Sequence, residues 1–448
     1  MMKNILLVSY SFPPLIDAES IITSNYVRTI SQLGYRMSVL TGIPVNRRED
    51  TSSISRIPVN VKVFRARSIE DYAFQILSKI NLSDTNTIAQ ISSREESEKD
   101  PLILSSLKKM KLLPNHVTGW QISATAVGKS ILRNEDFDCL ISRSNPITSH
   151  LIALRLKAFS KLPWIACFSD PWTLDPSPPY GGRFLSWEFI KILNERLEKK
   201  VIEMADIIVL TTDDQKRLYQ EKYRLEREKF LVIPNSYDPN ERIDQEFSKR
   251  VSEDDGIFTI VHAGHLGRQR SPEQFLKAVA LIKRDYPAIA NHLKIVFIGD
   301  SFSFDNLISN YDLRSITQTL GRISKEEAVR HCSKADLLLL IDAPSKERSM
   351  FLPSKLLDYM RLGIPILAIT PVGSAADIIS STRTGKVISS YDHFEIAEEI
   401  LHQYSLFKSK MIETTPNLDE IAKYSITKCA ETLIGIIETI SSNSNPKA

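Results

Sequence analysis

Two successive series of short apolar runs constrain the fold of this chain more than any other feature. The runs are rich in leucine and β-branched residues, and stretches with helical periodicity lie between several of them. This alternation is typical of parallel sheets that helices cover on both faces. The first series predicts strands at Ile5–Ser9, Met37–Thr41, Val59–Phe64, Cys139–Ser142, Trp164–Phe168, Ile207–Thr211 and Phe230–Ile233. The second predicts strands at Phe258–Ala263, Lys294–Ile298, Ile316–Leu320, Leu337–Ile341, Ile366–Ile369 and Lys386–Ile388.

A polar stretch from about Pro239 to Gly256 separates the two series and reads as a linker. Because 448 residues exceed what one hydrophobic core usually serves, two α/β domains are expected. Their predicted limits are 1–240 and 257–415, with Rossmann-like parallel sheets facing a central cleft. A C-terminal segment, 416–448, is expected to contribute a helix at about Ile421–Ile440 that packs back on the first domain. Ligands of such folds gather at the carboxyl ends of the strands.

Composition excludes several classes of protein. A formal net charge of +3 is too small to indicate nucleic-acid binding. The four cysteines are far apart in sequence, which favours a reducing cytoplasm over secretion. The apolar run after Lys3 is too short for a signal peptide, and no run is long enough to cross a membrane. No cluster of histidine, cysteine and carboxylate residues suggests a metal site.

The segment before the strand at Ile366 carries two charged residues three positions apart. Pro353 suits a first helical turn and Gly363 a helix stop, so Lys355 and Asp358 are predicted to share one helix face. Lys355 is suited to a phosphate and Asp358 to ribose hydroxyls. The alternative is an exposed ion pair with no function.

Several other segments point to an anion or to a reacting group. Arg268 and Arg270, just beyond the strand at Phe258, could neutralise a diphosphate, with Gly264 allowing close backbone approach; a solvated basic loop is the alternative. Gly373 and Ser374 are predicted to open a helix whose free amides favour an anion, or to form a plain N-cap. Asp170 follows a strand and either acts on the substrate or opens a turn.

Taken in order, the motifs resemble those of family-four retaining glycosyltransferases, which are GT-B enzymes. The resemblance rests on Asp170-Pro171-Trp172, Ile233-Pro234-Asn235-Ser236-Tyr237-Asp238, His262-Ala263-Gly264 with Arg268 and Arg270, Leu320-Gly321-Arg322-Ile323-Ser324, and Phe351–Ala368 with Pro371-Val372-Gly373-Ser374 and Thr384-Gly385. The first of these motifs is similar to one found in a "DPW" subgroup.

This resemblance implies transfer of a sugar, of hexosyltransferase type, from a nucleotide-sugar donor to a saccharide or lipid-linked acceptor. Retention and a place in bacterial polysaccharide or glycoconjugate synthesis are implied with it, without a tightly bound cofactor or metal. The implied catalytic residues are Asp170, Arg270 and Lys355. The implied donor-binding residues are Gly264, Arg268, Arg270, Gly321, Ile323, Lys355, Asp358, Gly373 and Ser374, among which the segment of Gly321 and Ile323 holds the base and Asp358 the ribose.

Two departures from the family pattern keep other functions open. The segment after the first strand lacks the family's Gly-Gly, and Asp17 and Glu19 there would repel a diphosphate if they pointed inward. Met350 stands where the family has its first acidic residue. A sugar-nucleotide epimerase of the same architecture, or a non-catalytic member that binds a nucleotide or a partner, are therefore alternatives.

The remaining features concern location and metals. Apolar and basic residues share the helix predicted at Phe184–Met204, which suits peripheral contact with the inner face of an anionic membrane, although ordinary packing explains it as well. Asp136-Phe137-Asp138 spells a metal-binding signature but precedes a strand, so it is predicted to be a surface turn. His150, His262 and His265 are isolated in sequence and are interpreted as structural.

Overall fold

A computed structural model describes residues 2–15, 17–43, 49–68, 119–174, 187–239, 256–267, 269–299, 304–411 and 415–443. The chain divides into two compact units. The first comprises Met1–Thr211, Gln215–Ile233 and Ala430–Ala448, and the second Thr212–Asp214 and Pro234–Cys429. Most of the predicted linker, 240–255, lies outside the described residues, so the predicted domain limits stay a prediction.

The first unit contains a parallel sheet in the order β3-β2-β1-β4-β5-β6-β7. Its strands are β1 (Asn4–Val8), β2 (Arg36–Gly42), β3 (Lys62–Ala66), β4 (Cys139–Arg143), β5 (Trp164–Cys167), β6 (Ile207–Leu210) and β7 (Phe230–Val232). The helices numbered with it are α1 (Ala18–Gln32), α2 (Trp120–Asn134), α3 (Thr148–Ser160), α4 (Trp187–Met204) and α5 (Asp213–Tyr223), with a 3₁₀ turn at Thr51–Arg56. The central strands are buried on both faces, which is why their sequences are continuously apolar.

The second unit contains a parallel sheet in the order β10-β9-β8-β11-β12-β13. Its strands are β8 (Phe258–Ala263), β9 (Leu293–Ile298), β10 (Thr317–Gly321), β11 (Leu337–Ile341), β12 (Ile366–Ile369) and β13 (Gly385–Ile388). Its helices are α6 (Glu273–Asp285), α7 (Pro287–Ala290), α8 (Asp305–Asn310), α9 (Lys325–Ser333), α10 (Ser354–Leu362), α11 (Ser374–Thr382), α12 (His393–Lys408) and α13 (Leu418–Ala422). The strand order reverses at β8 and β11, where a doubly wound sheet opens a crevice for ligands.

Two parallel sheets with interleaved helices confirm the predicted α/β fold class, and most strand limits agree with the sequence to within a residue or two. The strand predicted from Val59 begins instead at Lys62. Residues 58–61 form a turn in which the Val61 amide donates to the Pro58 carbonyl, and Val59 is fully exposed. All four cysteines are among the described residues and are buried, and none of them forms a disulfide bond.

The C-terminal helix predicted at about Ile421–Ile440 is present but begins later than predicted. The structure has α13 and then α14 (Ile426–Asn443), with a break at 423–425. The backbone of Tyr237 runs alongside the break, since its amide donates to Tyr424 O at 3.0 Å and its carbonyl accepts from Ile426 N at 2.8 Å. These two bonds replace helical ones and end α13 there.

Candidate functional site

Three glycines bring the carboxyl ends of β8, β9 and β10 into contact. The Gly264 amide donates to Ile298 O at 2.8 Å, and the Gly299 amide donates to Gly321 O at 2.7 Å. All three glycines have positive φ, and a Cβ on Gly299 would lie 2.5 Å from Gly264 O. Only glycine allows the backbones to approach so closely. The result is an edge of bare backbone that a ligand can approach.

Lys355 reaches this edge from α10. Its Nζ lies 3.2 Å from Nε2 of His262, and a Cβ on Gly264 would lie 2.9 Å from the same Nζ. His262 is buried in β8, and its Nδ1 lies 2.8 Å from the carbonyl oxygen of Leu339 in β11. Because a carbonyl only accepts, Nδ1 must carry the ring proton, and the bare Nε2 accepts from Lys355. Burial lowers the pKa of His262 well below its ordinary value, so the ring is neutral.

Arg270 and Asp342 form an ion pair beside Lys355. Arg270 Nε lies 3.1 Å from Asp342 Oδ1, with the carboxylate buried and the guanidinium half-exposed. The second oxygen, Asp342 Oδ2, is buried and has no hydrogen-bond partner within the part of the chain that the structure describes. Burial raises the pKa of Asp342, and the charges of Arg270 and Lys355 oppose that rise.

Two basic side chains therefore lie near one buried carboxylate, and Arg270 forms an ion pair with it. Burial and the neighbouring Arg270 charge lower the pKa of Lys355 to about 7, against the opposing effect of Asp342. Such crowding of positive charge is unfavourable in an empty site and is relieved by an anion. A ligand with adjacent negative charges, such as a diphosphate, fits this electrostatic arrangement.

Asp358 lies on the same helix but faces a different neighbour. Its Oδ1 is 3.8 Å from Nζ of Lys325, the first residue of α9, and both side chains are partly exposed. The hydroxyl of Tyr359 accepts from the Ala263 amide at 2.8 Å, which fixes α10 against β8. Gly363 ends the helix with φ 65°, as the sequence predicted.

Gly321 and Ile323 lie between β10 and α9. Gly321 ends β10, and Ile323 packs with its side chain half-buried against the apolar cluster beneath α10. Ser324 then caps α9 through a reciprocal pair of hydrogen bonds with Glu327. The structure thus brings Gly264, Gly321, Arg270 and Lys355 to one edge of the second sheet, with Asp358 one helical turn further along.

Gly373 and Ser374 open α11, but the amide of Ser374 is not free. It donates to Ser349 O at 3.0 Å, while the Ser374 hydroxyl donates to Asp214 Oδ2 at 3.0 Å. Arg348 holds the same carboxylate, with Nε 3.0 Å from Oδ1 and Nη2 3.1 Å from Oδ2. The expectation of a free Ser374 amide is therefore wrong. The Ser349 carbonyl accepts from the Ser374 amide, and the Asp214 carboxylate accepts from the Ser374 hydroxyl.

In the first unit, Asp170 is exposed three residues after the end of β5. Its Oδ2 accepts from Asn145 Nδ2 at 2.7 Å. The third residue of the Asp170-Pro171-Trp172 motif is buried, and Trp172 Nε1 donates to Asn194 Oδ1 at 2.8 Å. Asp170 is therefore exposed to solvent near a strand end, and the buried Trp172 fixes the backbone that follows it.

The two acidic residues near the first strand are paired within the chain. Asp17 caps α1 by accepting from the Ser20 amide at 2.7 Å. Glu19 is buried and lies 2.9 Å from Nε of Arg143, and its other oxygen accepts from Ser169 Oγ at 2.6 Å. Burial raises the pKa of Glu19, which the Arg143 charge opposes.

The remaining sequence predictions have different outcomes. Arg268 lies outside the described residues. The Asp136–Asp138 turn is tied to the start of β1, with Asp138 Oδ2 accepting from Asn4 N at 2.7 Å. Among the described residues, no group of three histidine, cysteine or acidic side chains could hold a metal, and no helix is long and apolar enough to cross a membrane.

Two residues of the site were not assigned to it from the sequence. His262 was interpreted as structural, yet it holds the Lys355 amine, and Asp342 was not singled out. Asp342 did carry a signal, because it is the first polar residue after the buried run Leu337–Ile341, at a strand end. His262 carried a weaker signal, since it belongs to the His262-Ala263-Gly264 motif, but a lone histidine in an apolar run is also common in cores.

Two family models match consecutive ranges of the chain. Glycosyltransferase Family 4 matches residues 92–241, and Glycosyl transferases group 1 matches residues 243–411. The chain belongs to the GT-B glycosyltransferases. The "DPW" subgroup suggested by Asp170-Pro171-Trp172 stays a prediction.

Solved structures agree with this glycosyltransferase fold. Sucrose-phosphate synthase from Thermosynechococcus elongatus superposes with a TM-score of 0.66 at 12% identity, covering 98% of this chain and 100% of that one. The Anabaena protein HepE, solved in complex with UDP and glucose, gives a TM-score of 0.55 at 13% identity, covering 98% of each chain.

A curated relative is the D-inositol 3-phosphate glycosyltransferase of Stackebrandtia nassauensis. It is 22% identical over 260 residues, which are 53% of this glycosyltransferase and 55% of the relative. The chain thus spans about half the length of that relative.

Proposed function

We propose that this glycosyltransferase moves a hexosyl group from a nucleotide-sugar donor to a saccharide or lipid-linked acceptor, with retention, in polysaccharide or glycoconjugate synthesis. One observation carries the proposal. Lys355 and Arg270 place two cations beside the bare backbone of Gly264, at the crevice where the second sheet reverses its strand order. A nucleoside diphosphate supplies negative charge that would balance the positive charges of Lys355 and Arg270. HepE, solved with UDP and glucose, is a related fold with such a ligand.

The proposed reaction breaks the bond between the sugar C1 and the β-phosphate oxygen. The bonding electrons leave with the diphosphate, the acceptor hydroxyl oxygen forms the new bond to C1, and its proton passes to the departing phosphate oxygen. Arg270 and Lys355 stabilise the growing negative charge, and this stabilisation is the main contribution of the site. Asp170 orients the acceptor hydroxyl or stabilises positive charge on the sugar ring.

The proposal assigns the remaining predicted roles by position. Asp358 accepts from the ribose hydroxyls, and the backbone of Gly321 and Ile323 holds the base. The two protein cations take the part that a divalent metal plays at other diphosphate sites, so no metal or tightly bound cofactor is included. Addition of EDTA is expected to leave turnover unchanged.

The proposed location is the cytoplasm, with peripheral contact at the inner face of the membrane. On α4, Phe189 and Ile192 are exposed one turn apart, with the exposed Lys191 between them in sequence and the exposed Lys199 two turns after Ile192. An exposed apolar pair with basic neighbours suits an anionic lipid surface, where a lipid-linked acceptor would be found. Binding to vesicles that contain an anionic lipid, absent with neutral vesicles, tests this part.

The decisive experiment combines binding and turnover. The purified chain is mixed with UDP-, GDP-, ADP- and TDP-linked hexoses and with saccharide and lipid-linked acceptors, and nucleoside diphosphate release is measured with and without acceptor. Acceptor-dependent release is expected, and it is expected to fall in Lys355→Gln but not in the control Lys277→Gln, whose partly exposed amine pairs with Glu273 at 2.9 Å. Binding without release for every donor and acceptor would favour a non-catalytic member. Absence of binding would overturn the donor site.

A further inference from the structure

The position of the Lys355 amine needs an explanation, because a lysine side chain has four freely rotating methylene groups. The amine lies at the edge of the second sheet, next to Gly264. Because glycine has no side chain, Gly264 offers no side-chain group that could bind the amine. The described hydrogen-bond partner of Nζ is Nε2 of His262, at 3.2 Å. What fixes the amine is therefore a histidine in β8, not a group on its own helix.

His262 is itself fixed from a second strand. Its Nδ1 donates to the Leu339 carbonyl at 2.8 Å, and the ring is buried with its centroid 6.2 Å from that of Phe297. The ring can neither turn nor exchange its two nitrogens without breaking the hydrogen bond to the Leu339 carbonyl. Nε2 is thus held as an acceptor that points at Lys355.

We propose that His262 is a positioning residue of the donor site, whose Nε2 aims the Lys355 amine at the β-phosphate of a nucleoside diphosphate. The inference rests on the proposed function and adds to it a residue that need not touch the ligand. A lysine held in place loses less conformational entropy when the phosphate binds than one that is free in solvent. His262 is therefore expected to act on affinity and turnover only through Lys355.

The charges around the pair suit this role. The groups that face Lys355 are His262 of β8, Arg270 of the following loop, Asp342 after β11 and Cys332 of α9. Protonation of His262 would place a third positive charge beside Lys355 and Arg270 and would remove the acceptor. Burial and the charges of Lys355 and Arg270 lower the pKa of His262 well below its ordinary value. The ring is therefore neutral near neutral pH, and its Nε2 stays an acceptor.

Two substitutions separate positioning from packing. In His262→Asn the side-chain amide takes the place of Nδ1 and keeps the donor for Leu339 O, but no atom reaches the place of Nε2. In His262→Gln the terminal oxygen reaches the place of Nε2 and still accepts from Lys355. Binding of UDP and of inorganic pyrophosphate is measured by calorimetry for both, with thermal unfolding as the check of folding. His292→Asn is the control, since His292 is exposed and its Nδ1 also lies 2.8 Å from a backbone carbonyl, that of Ala288.

The expected result is a loss of affinity of about tenfold for both ligands in His262→Asn, the usual effect of one hydrogen bond to a charged group. His262→Gln is expected to recover most of that affinity, and His292→Asn to leave it unchanged. In a Lys355→Met background, neither His262 variant should weaken binding further. Equal losses in the Asn and Gln variants, or losses that persist without Lys355, would overturn the positioning role.

Failure of the inference and failure of the proposed function are distinguishable. If the wild-type chain binds neither UDP nor any other nucleoside diphosphate nor pyrophosphate, the donor site itself is wrong. If Lys355→Met weakens binding and His262→Asn does not, only the inference falls. Should His262→Asn fail to fold, nitrogen NMR of the wild-type ring decides the matter, because a proton found on Nε2 of His262 would overturn the proposal.

Discussion

Asp342 pairs with Arg270 through one carboxylate oxygen, at 3.1 Å, and keeps its other oxygen buried with no hydrogen-bond partner in the described part of the chain. A buried acceptor without a hydrogen-bond partner lowers the stability of the folded protein. Ligand-binding sites commonly contain such destabilising groups. The pair therefore indicates a site that is arranged for a ligand and not for the stability of the empty protein.

The Asp342→Asn variant is expected to be more stable than the wild type at neutral pH. Because burial raises the pKa of Asp342, the folded chain binds this proton more tightly than the unfolded chain does, and stability falls as the pH rises above the ordinary aspartate range, about pH 4. The variant lacks this loss, so its free energy of unfolding should exceed that of the wild type at pH 8, and the excess should be smaller at pH 4. Chemical denaturation at both values measures it, with the exposed Asp285→Asn as control. A less stable variant at pH 8 would contradict the argument.

Binding of a nucleoside diphosphate is expected to take up protons above neutral pH. Lys355 has its pKa lowered to about 7, so its amine is mostly neutral at pH 8 until the added negative charge raises that pKa. UDP itself is fully ionised at pH 8, since phosphate monoesters have a second pKa near 6. Calorimetry in two buffers of different ionisation enthalpy should give about one proton taken up per site at pH 8. At pH 6 no net uptake is expected, because Lys355 is already mostly charged and part of the UDP carries a proton that it can release. In Lys355→Arg the uptake should vanish, and its persistence there would assign the proton to another group.

The role of Asp358 is tested by Asp358→Ala. Loss of a charged acceptor for the ribose hydroxyls should weaken UDP binding by about 1–3 kcal/mol. Inorganic pyrophosphate has no ribose, so its affinity should change much less, and Asp285→Ala should change neither. Equal weakening of both ligands would instead indicate that Asp358 acts through Lys325, whose amine lies 3.8 Å away.

Asp170 should affect turnover more than donor binding. Asp170→Asn keeps the shape and removes the charge, and the residue is exposed, so the fold should be unaffected. We expect the turnover number to fall at least tenfold, about 1.4 kcal/mol of barrier, with donor affinity unchanged. Asp136→Asn, at the exposed turn that resembles a metal motif, should be neutral. A variant as fast as the wild type would make Asp170 a turn residue only.

Glu198 should be the most stabilising carboxylate among those described in the first unit. It is fully buried and accepts from Tyr219 Oη at 2.7 Å, from Lys222 Nζ at 3.0 Å and from the Thr173 amide at 3.1 Å. Glu198→Ala leaves these donors unpaired in the interior and should cost about 3–5 kcal/mol of unfolding free energy. Glu203→Ala, one turn later on α4 with an exposed partner, Lys199, should cost under about 1 kcal/mol. Similar denaturation midpoints for the two variants would contradict the stabilising role of the hydrogen bonds that Glu198 accepts.

The sequence by itself determined the architecture. Runs such as Leu337–Ile341 are apolar throughout because strands of a parallel sheet are buried on both faces, and this local pattern needs no knowledge of the partner strands. The positions of Gly363 and of Lys355 on its helix followed from helical periodicity and stop signals, which are also local. The order of the motifs indicated the glycosyltransferase family for the same reason, since it is read along the chain.

Only the tertiary structure decided which groups meet. His262 and Lys355 are 93 positions apart, and Arg270 and Asp342 belong to the loops after β8 and β11, so no periodicity relates them. The same holds for the break at 423–425, which the backbone of Tyr237 causes, and for the Ser374 amide, which Ser349 occupies. Sheet order brings these segments together, and the burial that results sets the charge of His262, Asp342 and Lys355. Burial and proximity are properties of the folded chain, and a residue's neighbours in sequence do not fix them.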